Sequence, residues 1–207
     1  MPRILFIASS PRGADSHSTK VGQALVERLG AASGATVVRR DLDAEKLPHL
    51  DVALIRAQAT APEARSPEQH AALALSDTLV GELMTADIVV IASAMINFAV
   101  TSTLKAWIDY VTRAGVTFRY SDDGKPEGLA TGKKIYLVEA RGGVYSQGPL
   151  KAADFQEPYL SHMLGFLGMT DIEAIPVEGI AFGPEAAEKS VTAALARVAA
   201  IPLSVAA

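Results

Sequence analysis

The sequence predicts an α/β fold built on a mostly parallel sheet. Three observations predict it. Short apolar runs recur along the chain and alternate with segments whose apolar residues return at helical spacing. The runs Ile4-Leu5-Phe6-Ile7-Ala8, Ile88-Val89-Val90-Ile91 and Ile135-Tyr136-Leu137-Val138 are apolar throughout, as strands covered on both faces must be. The first and third of these lead into turn-forming stretches, Ser9-Ser10-Pro11-Arg12-Gly13 and Arg141-Gly142-Gly143.

Taken in order, residues 4–8 are a strand. Val21, Leu25, Val26 and Leu29 then share one face of a helix that Gly30 and Gly34 close. Residues 36–42, with Val37-Val38 between charged flanks, form a weaker strand nearer an edge. Residues 43–66 contain Pro48 and Pro62, lack a firm period, and are expected to be a long, partly irregular connection. Ser66-Pro67-Glu68-Gln69 starts a helix, with Ser at the N-cap, Pro at the first helical position and Gln where a capping box needs it; it runs to about Met84. Residues 87–92 are the clearest central strand. Residues 102–113 are helical, with Leu104, Trp107, Ile108 and Val111 on one face. Residues 116–128 alternate around Asp122-Asp123-Gly124, a hairpin signal. A strand at 135–138, a helix at 159–166, a strand at 172–177 and an alanine-rich helix at 185–200 complete a five-stranded sheet with helices on both faces. Nothing marks a boundary, so the chain is expected to be one domain, 1–207.

Composition narrows the function. The 207 residues carry 19 basic and 23 acidic side chains, a net charge of −4, which is no footprint for nucleic acid. There is no cysteine, which removes disulfides, thiolate metal sites and a cysteine nucleophile and suits a reducing compartment. The longest apolar run is interrupted by Ser93 and Asn97 and falls short of the roughly 20 residues that span a bilayer. The initial run is shorter than a signal-peptide core of about 7 to 15 residues. A soluble cytoplasmic protein is expected, with no membrane partner.

In open α/β sheets ligands bind beyond the carboxyl ends of the strands. Three loops qualify: residues 9–18, 94–98 and 140–147. The first combines Ser10, Ser16, His17 and Ser18 with a glycine and the start of a helix. Hydroxyls and free helix amides satisfy phosphate oxygens, and the helix dipole favours their charge. The loop has no lysine, which suits a stably bound phosphate monoester; a serine that only caps the helix is the plainer alternative. The second loop, Ala94-Met95-Ile96-Asn97-Phe98, offers apolar side chains for one face of a flat ring, with Asn97 for a polar edge; plain core packing is its alternative. In the third, Gly142 and Gly143 let backbone amides approach a ligand closely, like an oxyanion hole.

Other chemistries find no support. The Gly128–Lys134 stretch echoes a P-loop, but its spacing is one short, Lys134 stands where Ser or Thr is needed, and it precedes a strand. No Gly-x-Ser-x-Gly elbow is present. His17, His49, His70 and His162 have no metal-ligand spacing, so no metal is expected. Asp51, Asp87, Asp109 and Asp154 look dispersed, without a catalytic pair.

These loops, together with Ala114-Gly115-Val116-Thr117-Phe118-Arg119-Tyr120 and Gly179-Ile180-Ala181-Phe182-Gly183-Pro184-Glu185, resemble the FMN-dependent NADH azoreductases. That family belongs to the NAD(P)H:quinone oxidoreductase group and has a flavodoxin-like fold. The resemblance runs through nearly the whole chain in order. It implies FMN held by Ser10, Ser16, His17, Ser18, Met95, Ile96, Asn97, Phe98, Ala140, Arg141, Gly142 and Gly143. It implies NADH or NADPH as donor, quinones, azo or nitroaromatic compounds as oxidants, and a homodimer with one flavin per subunit near the interface. Phe118, Tyr120, Tyr145 and His162 are assigned to the substrate pocket, Tyr145 also as a proton donor to the oxidant. Trp107, Phe118 and Tyr120 are the aromatic residues expected near the interface.

The chain departs from the family pattern at Ala94 and Ile96, where Pro and Tyr are usual, at Ala140, where a hydroxyl is frequent, and at Tyr145, where His is frequent. These positions bear on substrate preference. The expected activity is a flavin-dependent two-electron reduction by a ping-pong sequence. The alternative is a flavodoxin-like electron carrier without its own NAD(P)H reaction.

Overall fold

A computed structural model describes residues 1–203; the last four residues of the expected 1–207 domain lie outside the described residues. In chain order the elements are β1 (Arg3–Ala8), α1 (His17–Ser33), β2 (Thr36–Asp41), α2 (Leu42–Glu45), α3 (Val52–Ala59), α4 (Pro67–Thr85), β3 (Ile88–Ala94) and α5 (Ser102–Val111). They continue with β4 (Phe118–Tyr120), β5 (Pro126–Gly128), β6 (Lys134–Ala140), α6 (Glu157–Phe166), β7 (Asp171–Val177) and α7 (Pro184–Ala200).

Five strands pair in the order β2-β1-β3-β6-β7, every pair parallel, so all five carboxyl ends share one edge. The order reverses between β1 and β3, the position where doubly wound sheets open a binding crevice. Ile4, Phe6 and Ala8 pack with α1 and α7 on one face of the sheet, and Leu5 and Ile7 pack with α3, α4, α5 and α6 on the other. Each fully buried branched side chain in these layers contributes about 1.5–3 kcal/mol. Gly22 brings α1 close to the sheet: a Cβ there would lie 2.9 Å from the Phe6 ring and 3.1 Å from the Ala92 methyl. That approach sets the amino end of α1 beside the ends of β1 and β3.

The helix start read at Ser66 is present as a capping box: the Gln69 amide donates to Ser66 Oγ at 3.3 Å and the Ser66 amide to Gln69 Oε1 at 3.0 Å. The hairpin also stands where expected, with β4 against β5 around Asp122-Asp123-Gly124. The connection read over 43–66 is more ordered than expected. Asp51 caps α3 through the Leu54 amide at 2.8 Å, and Leu54 and Ala57 reach the core. Two buried residues in eight leave too little periodicity to mark a helix in sequence. Gly30 lies within α1, and Gly34, at φ +65°, ends it.

Candidate active site

The loop after β1 folds against the start of α1. The Ser9 amide donates to the Ala92 carbonyl at 3.0 Å, which extends the β1–β3 ladder by one residue. Ser10, Ser16 and Ser18 are all buried. Ser16 is the N-cap: its Oγ accepts the Thr19 amide at 3.2 Å and lies 3.0 Å from Ser18 Oγ. Capping and ligand binding therefore draw on the same hydroxyl, with Oγ accepting one hydrogen bond and keeping its own proton to donate. The amides of His17 and Ser18 have no acceptor among the described residues, and Thr19 Oγ1 is buried without a partner in the same turn. Open amides, buried hydroxyls and the positive end of a 17-residue helix fit an anionic phosphate.

The loop after β3 turns sharply. The Ile96 amide donates to the Ala99 carbonyl at 2.9 Å and the Ala99 amide to the Ile96 carbonyl at 3.0 Å. Between them Asn97 (φ +49°) and Phe98 (φ +69°) both lie in the left-handed region, the signature of a type I′ turn. Asn tolerates this conformation; at Phe98 it costs about 1–2 kcal/mol. The strained turn lifts Ile96 and Phe98 to 43% and 50% exposure, against the core packing that was the plainer expectation for this loop. Below it the Met95 amide donates to the Ala140 carbonyl at 2.8 Å, joining the second loop to the third, and the Phe155 amide donates to the Phe98 carbonyl at 3.0 Å.

The loop after β6 is held by its carbonyls. Those of Arg141, Gly142 and Gly143 accept the amides of Ile180 (3.3 Å), Ala181 (3.0 Å) and Gly179 (2.9 Å). The amides of Gly142 and Gly143 have no acceptor among the described residues. A ligand edge bearing negative charge meets two prepared donors there.

Arg141 occupies a different place from the one expected. Its side chain is fully buried and its N–H groups are spent inside the protein. Nε donates to Gln156 Oε1 at 3.1 Å, Nη1 faces Asp154 and Glu178 at 3.1 Å each, and Nη2 faces Glu139 at 2.8 Å and Glu157 at 3.3 Å. Four of its five N–H donors are hydrogen-bonded to these groups and the side chain is fully buried, so the guanidinium is turned into the protein. The Arg141 amide and carbonyl are likewise engaged, by Val177 and Ile180. Arg141 thus anchors the loop from its buried side. The expectation of dispersed carboxylates fails at the same point, because Asp154 joins Glu139, Glu157 and Glu178 around one cation. The available signal was Glu139-x-Arg141, two charges on one face at the end of an apolar strand.

The remaining residues divide. Tyr145 stands beside Gly143, with its ring 6.2 Å from that of Phe98, edge to face, so it belongs to the loop cluster. Phe118 packs on Phe166 at 4.7 Å and on Tyr120 at 5.8 Å; Tyr120 is 63% exposed. His162 lies exposed on α6, the helix that carries Phe166. Trp107 is fully buried in the core and is no interface residue, because α5 turns its apolar face onto the sheet. Among the described residues no group of His, Asp and Glu is placed to hold a metal ion, and no helix is long and apolar enough to cross a membrane. A cavity of about 660 Å³ opens at the opposite, amino end of the sheet. Its two lysines are already engaged, Lys133 by the Met84 and Ala86 carbonyls and Lys134 by Asp171, so it lacks free donors of the kind the loops offer.

A parallel sheet in this order, with a hydroxyl-lined helix start and two prepared amides at one edge, defines a flavodoxin-like nucleotide-binding fold. Residues 2–201 match the family model described as "Flavodoxin-like fold". The chain is 54% identical over 205 residues to an FMN-dependent NADH:quinone oxidoreductase of Rhizobium johnstonii, covering 99% of this chain and all of that one. It is 51% identical to another from Herminiimonas arsenicoxydans, over 92% of this chain and 93% of that one. Among solved structures it superimposes on an azoreductase from Bacillus anthracis with a TM-score of 0.87 and 35% identity, covering 96% and 97% of the two chains. The chain belongs to the flavodoxin-like family of FMN-dependent NADH azoreductases and quinone oxidoreductases.

Proposed function

We propose that the three loops hold FMN and that the protein passes two electrons from NADH to quinones. The protein is an FMN-dependent oxidoreductase with NADH as donor. The observation that carries the placement is the pairing, at one edge of the sheet, of open amides on α1 with open amides at Gly142 and Gly143. When bound, FMN supplies the hydride and electron chemistry that no side chain here can perform.

In this reading Ser10, Ser16 and Ser18, with the His17 and Ser18 amides, take the phosphate. Met95, Ile96 and Phe98 cover one face of the ring, and Asn97 reads a polar edge. The Gly142 and Gly143 amides stabilise negative charge on the opposite edge. Ile96 removes the hydroxyl and aromatic face of the family's tyrosine, and Ala140 removes a hydroxyl, from beside the ring. The exposed rings of Phe98 and Tyr120 and the part-buried ring of Tyr145 suit flat aromatic oxidants: quinones, azo compounds and nitroaromatics. Tyr145 is the proton donor to the oxidant in this reading. Donor and oxidant use the same open face in turn, which makes the kinetics ping-pong. A cytoplasmic setting, where NADH and NADPH are supplied, suits this activity, and a homodimer would cover the exposed aromatic rim.

Initial rates measured against both substrates, with NADH and NADPH in parallel and a panel of quinones, azo dyes and nitroaromatics, test this reading. Parallel double-reciprocal lines are expected. Intersecting lines would mean that both substrates bind together and would overturn the single-pocket sequence.

A further inference from the structure

Among the described residues Glu139 is the member of the Arg141 cluster whose second oxygen is buried without a donor. Its side chain is fully buried, Oε2 meets Arg141 at 2.8 Å, and Oε1 has no hydrogen-bond partner among the described residues. The other three carboxylates are supported elsewhere. Asp154 accepts the Gln156 amide at 2.9 Å and the Glu157 amide at 3.2 Å. Glu178 accepts the amides of Tyr145 and Ser146 and the Ser146 hydroxyl. Glu157 is 38% exposed and stands at the amino end of α6. From β3 the group opposite Glu139 is the uncharged Ser93, held by Gln156 Nε2 at 3.0 Å. One guanidinium thus serves four carboxyl groups, and crowding of like charge in a buried site is relieved when one of them keeps its proton.

We propose that Glu139 is a positioning residue that holds a proton behind the flavin-binding loop, and that its ionisation makes the Gly142–Gly143 edge less favourable to negative charge. The proposal rests on the placement of FMN argued above. The geometry supplies the coupling. Glu139 precedes Ala140, whose carbonyl fixes Met95 of the second loop, and it pairs with Arg141, whose neighbours Gly142 and Gly143 carry the open amides. A neutral Glu139 leaves Arg141 against three carboxylates; an ionised one leaves it against four, a few residues from the ligand edge and away from water. Burial, with Glu157 and Asp154 adding to it, outweighs the attraction of Arg141 and lifts the Glu139 carboxyl to about 8. The charge change therefore falls within the working range of an enzyme.

Two measurements test it. The first follows the midpoint potential of FMN bound to the full chain from pH 6 to pH 10, using a chemical reductant and a reference dye, for the wild type and Glu139→Gln. The glutamine cannot ionise, so its potential should lie above the wild type's at high pH and converge with it at low pH. The second follows the infrared band of a neutral carboxyl in the flavin-free protein. The wild type should show it at pH 6, lose it by pH 10, and lack it after Glu139→Gln. Equal pH dependence of the two potentials, or a wild-type band that is already absent at pH 6, would overturn the proposal. If Glu139→Gln does not fold, the pH titration of the wild-type band decides alone. Failure of the wild type to bind FMN would count against the flavin placement, while the infrared result would still report on Glu139.

Discussion

Glu178 Oε1 lies 3.1 Å from Arg141 Nη1, and the same oxygen accepts the Tyr145 amide at 2.8 Å and the Ser146 amide at 2.9 Å. One carboxylate at the end of β7 therefore ties the buried cation to the turn that follows the glycine pair. Burial pushes the Glu178 carboxyl up, but the Ser146 hydroxyl and the two amides more than offset this and hold it below the usual range. The open amides of Gly142 and Gly143 owe their orientation to this tie as well as to the carbonyl contacts with residues 179–181.

Glu178→Ala should be costly on that account. It leaves Arg141 three other carboxylates but strands the amides of Tyr145 and Ser146, and a donor left without its acceptor away from water costs about 1–3 kcal/mol. Equilibrium urea unfolding should show a loss of that order and flavin titration a weaker complex. A change below about 1 kcal/mol, the worth of an exposed pair, would mean that the tie does not hold the loop.

Ser16→Ala combined with Ser18→Ala tests the helix start. Hydrogen bonds to a charged group are each worth about 1.5–3 kcal/mol, so FMN affinity should fall at least about tenfold. Fluorescence titration of the flavin-free protein reads this directly. Unchanged affinity would remove the loop from the site.

Stability should depend on pH through Glu139. Its carboxyl sits at about 8 in the folded protein against 4.5 for the free group. Between those values the folded state holds a proton that the unfolded chain releases, so stability falls as pH rises through this window and levels off above it. Glu139→Gln should flatten that slope. Thermal unfolding from pH 5 to pH 9 measures it, and parallel slopes for the two proteins would refute the assignment.

Much of this was legible because it is local. Buried strands announce themselves as apolar runs, the Ser66 capping box is written in four consecutive residues, and a hydroxyl-rich loop after the first strand is visible without a fold. The Arg141 cluster was not legible, since Asp154, Glu157 and Glu178 converge only when α6 and β7 pack beside β6. The left-handed turn at Asn97-Phe98 was also hidden: type I′ turns are usually signalled by glycine, and here a phenylalanine takes the strained position. Trp107 misled because an aromatic residue marks a core and an interface equally well.

Self-association should follow from the exposed rim. Tyr120, Phe155 and Phe182 are 63%, 60% and 69% exposed, and Phe155 adjoins the half-exposed Phe98, more aromatic surface than a lone chain gains from showing. Sedimentation equilibrium at micromolar concentration should find a dimer. A 21.7 kDa species with full activity would contradict the assignment of these rings to an interface.

The most direct test of the flavin reductase assignment is an anaerobic absorbance measurement on the FMN-loaded protein. NADH should bleach the flavin band within seconds, and a quinone added after the NADH is consumed should restore it. A flavin that stays oxidised with excess NADH, yet is reduced by dithionite and reoxidised by the quinone, would describe an electron carrier and contradict the account.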